Sequence, residues 1–216
     1  MEKSWIWSDR MTDLPKINKP LFVFDLDSTI TKCELLPLIA EDVGLGRTMA
    51  RLTECAMQEN VPFEQNFCNR VELLKGVSVS RASFVAARMP MNEKIVEFIR
   101  ENPQRCMILT GNLDVWIAPV IENLGMTGRC LCSKALVDKD HLIGITSVLD
   151  KASVCQRLPH PFVAIGDGSN DIDMLEAAEI GIAFGGVHNP CKELVAAADM
   201  VIWEEKELVE VLKKLL

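Results

Sequence analysis

The sequence predicts an α/β fold: a parallel sheet, doubly wound with helices on both faces, and a small helical insert after its first strand. Three observations carry this. Short apolar runs rich in β-forming residues recur at 21–24, 106–109, 162–165, 180–184 and 200–203. Segments with apolar residues three and four apart separate most of these runs, and alternation of the two periods marks parallel strands joined by crossover helices. The exception is a long interval, 32–89, whose apolar spacing is helical throughout.

In chain order, residues 1–20 form an N-terminal tail and the run at 21–24 reads as the first strand. Spans 35–43, 47–58 and 63–74 read as three helices with no strand between them, so 32–89 is expected to be a cap inserted into a core made of 21–31 and 90–216. Ile95, Phe98 and Ile99 then mark a helix, 106–109 a strand, and Val115, Ile117, Val120, Ile121 and Leu124 another helix. Two apolar patches, 135–137 and 142–145, flank the polar turn 138–141 and predict a β-hairpin. Helices at 152–158 and 172–178 alternate with the remaining three strands.

Of the 216 residues, 49% are hydrophobic and 25% charged, enough apolar material for a packed core and too little charge for disorder. The length suits one full domain with a smaller insert. With 23 Lys and Arg against 31 Asp and Glu, the net charge of −8 has the wrong sign for a general nucleic-acid or anionic-membrane binder. The expected partner is a small molecule, and the expected assembly a monomer or homodimer. No run reaches a bilayer-spanning length and the first twenty residues hold no hydrophobic signal core, so a cytoplasmic protein is expected. The eight cysteines lack redox or zinc spacing and read as reduced thiols. Trp5 and Trp7 in the tail suggest packing against the body or a contact with another molecule.

Chemistry gathers where strands end. The first strand runs into Asp25-Leu26-Asp27-Ser28-Thr29, and period-two alternation puts Asp25 and Asp27 on one side, at the sheet edge where α/β proteins bind ligands. Caps for nearby backbone NH groups are the plain alternative. After 162–165 comes Gly166-Asp167-Gly168-Ser169-Asn170-Asp171, whose oxygen-bearing side chains suit a hard cation. A calcium EF-hand loop fails, because Ile172 stands where glycine is needed and Ala178 where glutamate is needed. Thr110-Gly111-Asn112 offers a hydroxyl and backbone NH groups to a phosphoryl oxygen, or else caps the following helix. Lys151 opens an apolar helix and is either functional or a solvated charge.

Taken in order, Asp25/Asp27, Thr110, Lys151 and the GDGSND loop at 166–171 resemble the haloacid dehalogenase-like superfamily in its phosphatase branch, over residues 20–216. The resemblance implies a Rossmann-like core with a helical cap. It also implies Mg²⁺ held by Asp25, Asp167 and the Asp27 carbonyl, with Asp25 as nucleophile and Asp27 as general acid and base. Thr110, Gly111, Asn112 and Lys151 would bind the phosphoryl group, with Asn170 and Asp171 orienting Lys151 and the metal's waters. The second aspartate, absent from dehalogenases, favours phosphoryl chemistry.

Two charges in the insert narrow the substrate. Arg70 lies within the apolar helical stripe of Phe63, Phe67 and Leu74, either snorkelling to the edge or binding a carboxylate. Glu34 precedes an apolar helix, where the helix dipole also accounts for an acid. Together with Met57 and Phe63 they are similar in order and spacing to phosphoserine phosphatases, in which the Glu takes the substrate ammonium, the Arg its carboxylate, and Met and Phe shield the pocket. The resemblance implies conversion of L-phosphoserine to serine, within serine biosynthesis. That family reads Ser-Gly-Gly where this chain has Thr110-Gly111-Asn112. Phosphatase action on another small phosphorylated metabolite, phosphotransfer to an alcohol, and a non-catalytic binding relative are the alternatives.

Overall fold

A computed structural model describes residues 18–58 and 61–216, with the side chains of 57 and 58 outside the description. The N-terminal tail with Trp5 and Trp7 lies outside the described residues. The core is a seven-stranded sheet, β1 Leu21–Phe24, β2 Cys106–Leu113, β3 Cys130–Asp138, β4 His141–Ser147, β5 Phe162–Gly166, β6 Ile180–Phe184 and β7 Met200–Ile202. The spatial order is β4-β3-β2-β1-β5-β6-β7, and every neighbouring pair is parallel except the β3/β4 hairpin.

Pleating divides the strands' side chains between two apolar layers. Phe22, Phe24, Ile108, Val163, Ile165, Ile180 and Ile182 enter one layer, while Val23, Leu109, Phe162, Ala164 and Ala183 enter the other. Helices α5 (Glu93–Glu101), α6 (Asp114–Asn123) and α10 (Glu205–Leu215) close the first layer. The second is closed by α7 (Lys151–Cys155), α8 (Ile172–Ala177) and α9 (Lys192–Ala197). Both faces are therefore covered, as the strands' unbroken apolar runs require.

The insert leaves and rejoins the core through one neck. Thr31 bridges Met91, Lys32 N–H donates to the Pro90 carbonyl at 2.7 Å, and Asn92 N–H donates to the Ile30 carbonyl at 2.9 Å. Between them lie α1 (Leu35–Asp42), α2 (Gly46–Gln58), α3 (Phe63–Leu74) and a fourth helix, α4 (Val79–Ala86), where three were expected. Ser78 caps α4 by accepting from Arg81 N–H. Packing against α6, with the Ser83 hydroxyl donating to the Val115 carbonyl at 2.7 Å, fixes α4 to the core.

Two further boundaries differ from expectation. β2 runs on to Leu113, so Thr110-Gly111-Asn112 lies within the strand, at an irregularity in its pairing with β3 between Thr110 and Leu113. Ser133 holds this stretch extended, its hydroxyl donating to the Gly111 carbonyl at 2.6 Å and accepting from Leu149 N–H at 2.9 Å. The hairpin's first strand starts at Cys130, because its leading half pairs with β2 and only Lys134 onward faces β4. Among the described residues no helix is long and apolar enough to cross a membrane.

Candidate active site

The carboxyl ends of β1, β2 and β5 meet beneath the insert around a cavity of about 210 Å³. β1 delivers Asp25 in extended conformation, after which the chain turns tightly through Leu26–Ile30. Ser28 adopts φ of 55° there, a left-handed conformation uncommon for a side chain with a Cβ, and its buried hydroxyl has no partner among the described residues. The turn, rather than continued alternation along a strand, brings Asp25 and Asp27 to the same cavity. Asp27 also takes the capping role, its Oδ2 accepting Leu35 N–H at 3.2 Å, while its Oδ1 is buried without a hydrogen-bond partner among the described residues.

Lys151 is no solvated charge. It is 6% exposed, and its Nζ donates to Asp25 Oδ1 and to Asp171 Oδ1, each at 2.5 Å. Asp171 Oδ2 accepts the Asp167 and Gly168 N–H groups at 3.1 and 3.0 Å, so its carboxylate ties the GDGSND loop to Lys151. Glycine at 166 is required for this: a Cβ there would lie 2.4 Å from the Asp171 carboxyl carbon. Asn170 lines the cavity beside Gly168 and is not among the partners of Lys151. Asp173 is exposed.

Carboxylate oxygens of Asp25, Asp167 and Asp171 lie within 4.8 Å of one another. Burial first, then repulsion from Asp25 and Asp171, pushes Asp167 up to about 9. Burial likewise pushes Asp25 up to about 8, against the pull of Lys151. Burial alone would lower Lys151, but Asp171 and Asp25 outweigh it and hold the ammonium well above its ordinary range. One lysine does not neutralise two buried carboxylates and a half-buried third, and an oxygen-only donor set of this charge suits a hard divalent cation. Burial raises Asp27 to about 6, with the Asn112 carboxamide the main influence holding it down.

Helix capping does not explain Thr110 and Asn112, since Leu113 occupies the N-cap of α6 and makes no side-chain cap bond. Both are buried, Thr110 and Gly111 line the cavity, and the Thr110 Oγ1 accepts from Asn112 N–H at 3.2 Å and Nδ2 at 3.3 Å. Above them Phe63 stacks on Phe67 and covers Gly111 so closely that a Cβ at 111 would lie 2.6 Å from the ring. The insert is thus shut down onto the strand ends.

Glu34 and Arg70 meet across the cavity, Arg70 NH2 donating to Glu34 Oε2 at 2.7 Å. Glu34 sits at the N-cap of α1 without a side-chain capping bond, and its carboxylate turns to Arg70 instead. Arg70 does not snorkel outward: its side chain is 13% exposed and its Nε is buried without a partner among the described residues. Glu34 is the more open partner, at 39%. Met57 falls on α2, but its side chain lies outside the described residues.

The profile of the haloacid dehalogenase-like hydrolases matches residues 22–176, and a second profile of the same description matches 146–212. The chain belongs to the haloacid dehalogenase-like hydrolases. It is 29% identical to a phosphoserine phosphatase of Archaeoglobus fulgidus over 77% of this chain, which spans only 52% of that protein. With a phosphoserine phosphatase of Methanocaldococcus jannaschii it shares 29% identity, over 90% of this chain and 97% of the relative. A solved phospho-aspartyl intermediate analogue of phosphoserine phosphatase superposes with a TM-score of 0.76 at 27% identity, covering 92% of this chain and all of that one.

In this hydrolase several cavity residues escaped sequence reasoning. Asn66 lines the cavity one helical turn before Arg70, a spacing that could have revealed it. Ser28 stood inside a segment already singled out. Thr53 carries no local signal, being one polar residue in an amphipathic helix.

Proposed function

We propose that this hydrolase releases phosphate from L-phosphoserine through a phosphoryl group held transiently on Asp25. The observation that carries the reading is the Glu34–Arg70 pair, an anion and a cation on the insert facing the same cavity as the aspartates. An amino acid presents the complementary charges, so its ammonium and carboxylate can replace each charge's present partner. The relatives named as phosphoserine phosphatases support the choice. Residues 32–89 act in this reading as the cap that reads the substrate.

The Asp25 carboxylate attacks phosphorus in line, forming an O–P bond as the ester P–O bond breaks with its electron pair moving to the serine oxygen. Asp27 gives that oxygen its proton. Lys151, Thr110 and the Gly111 N–H bind the phosphoryl oxygens and stabilise the charge that shifts onto them. Water then attacks phosphorus, giving its proton to Asp27 and freeing Asp25 and inorganic phosphate. Asp171 acts by holding Lys151 and the loop that carries Asp167. Mg²⁺ bound by Asp25, Asp167 and the Asp27 carbonyl would supply positive charge where an anionic nucleophile meets an anionic ester.

Excess EDTA is expected to reduce phosphate release to background, and added Mg²⁺ to restore it. Asp167→Asn should raise the Mg²⁺ concentration for half-activity far more than it raises KM, and full turnover in EDTA would overturn the metal assignment. Arg70→Ala should lower kcat/KM for phosphoserine about 100-fold, as expected when a charged partner of a charged group is truncated at a cost of about 2–5 kcal/mol, with the openness of Glu34 favouring the lower part of that range. With p-nitrophenyl phosphate, which has no carboxylate, the change should stay within a few-fold. Equal losses on both esters would make Arg70 structural. A wild-type preference for a phosphomonoester without an amino-acid end would transfer the reading to another small metabolite.

A further inference from the structure

We propose that Asn92, on the segment by which the insert rejoins the core, is a positioning residue that sets the carboxylate of Asp167 through Thr29. This rests on the reading above that Asp167 holds Mg²⁺. Asparagine is among the best N-cap residues, because its side-chain oxygen can accept a free backbone N–H of the first helical turn. Asn92 stands at the N-cap of α5 and makes no such bond. Its carboxamide turns to the Asp25–Ile30 segment instead, where Nδ2 donates to the Thr29 carbonyl at 2.8 Å, and the residue is 4% exposed. Its backbone N–H donates to the next carbonyl, that of Ile30, at 2.9 Å. One residue thus grips two consecutive carbonyls at the end of the turn that starts after Asp25 and carries Asp27.

That grip fixes Thr29. Its side chain is fully buried, and its hydroxyl donates to Asp167 Oδ1 at 3.4 Å, linking the turn after β1 to the loop after β5. Among the described residues it is the one hydrogen bond that the Asp167 side chain receives. A contact of that length tolerates little further displacement before it is lost. The same turn contains the left-handed Ser28 backbone, a conformation that persists only where surrounding contacts impose it. Removing the Asn92 carboxamide leaves the Thr29 carbonyl buried without its donor, so the Thr29 peptide is free to rotate and carry the hydroxyl away from Asp167.

Calorimetric titration of metal-free protein with MgCl₂, with no substrate present, reads this directly. Partners that orient a metal ligand cost about 10–100-fold in metal affinity when removed, and the length of the Thr29 contact favours the lower end. Asn92→Ala is expected to weaken Mg²⁺ binding about tenfold. Turnover at limiting Mg²⁺ should fall by a similar factor on phosphoserine and p-nitrophenyl phosphate and recover at saturating Mg²⁺, with KM for either ester changed less than about twofold. Asn92→Ser keeps a good N-cap, but its hydroxyl ends one bond short of Nδ2, so it should bind Mg²⁺ as weakly as the alanine variant. Thr29→Val keeps the shape of Thr29, removes the hydroxyl, and should weaken Mg²⁺ binding to a similar degree; it carries the test by itself if Asn92→Ala does not fold. Joined to Asn92→Ala it should add less than about twofold, because both act on one contact. A lowered Tm with unchanged Mg²⁺ affinity, wild-type affinity in Asn92→Ser, or fully additive losses in the double variant would each overturn the proposal while leaving the metal assignment intact. Wild-type protein that binds no Mg²⁺ would overturn that assignment, and this inference with it.

Discussion

Asp25→Asn is expected to fold and to lose turnover by about 10⁶-fold, the scale on which removal of a covalent nucleophile acts. Asparagine preserves shape and still accepts from Lys151, so the 2.5 Å contact has a neutral counterpart. The loss should be the same for phosphoserine and p-nitrophenyl phosphate, because both need the attacking oxygen. Stability should move the other way. In metal-free protein the Asp25 carboxyl rises from an ordinary 3.8 to about 8, so between these pH values the folded state holds a proton that the unfolded chain releases. Its contribution to stability is therefore present in full below about pH 4 and lost as pH rises towards 8. Asparagine has no proton to lose, and melting in EDTA should show a higher Tm for the variant than for wild type at pH 8, with the gap narrowing as pH falls towards 4. Near wild-type turnover, or an unfolded variant at pH 8, would reject the assignment.

Lys151→Met is expected to combine loss of activity with loss of stability. The ammonium is the positive group in contact with both Asp25 and Asp171, and truncating one partner of a buried ionic cluster costs about 3–5 kcal/mol through the charge left behind. For a protein of this length that corresponds to roughly 10 °C in Tm. Phosphate release should fall at least about 10²–10³-fold, as when a single preorganised donor to developing charge is removed. The double variant Lys151→Met/Asp171→Asn separates the effects. It removes one stranded carboxylate while keeping an acceptor for the Asp167 and Gly168 N–H groups, so Tm should partly recover. Activity should not. Recovery of activity in the double variant would show that Lys151 merely neutralises Asp171.

Local sequence was sufficient wherever a property depends on neighbours in the chain. The apolar runs at 21–24, 162–165 and 180–184 became strands within a residue of expectation, because an unbroken β-forming run is buried on both faces of a parallel sheet whatever surrounds it. The glycines of GDGSND and the helical stripe of Phe63, Phe67 and Leu74 were legible for the same reason, whereas Asp25 and Asp27 reach one cavity through the turn at Leu26–Ile30 and not through the alternation expected of a strand. Boundaries held by distant groups were not. β2 outran its apolar run because Ser133, twenty-two residues on, holds the Gly111 carbonyl. The fourth helix of the insert is placed by α6 rather than by its own periodicity.

For the site, sequence alone left each charged residue with two readings, since a lone Lys, Arg or Glu carries the same local pattern whether solvated or enclosed. Packing decided between them. Lys151 reaches two carboxylates 126 and 20 residues away, and Arg70 reaches Glu34 across 36. Phe63 descends on Gly111 only because the neck at Thr31 and Met91 and the seat of α4 on α6 set the height of the insert. Composition and period report which face of an element is apolar. Which two faces meet, and so which charges share a cavity, is settled by the tertiary contacts that bury them.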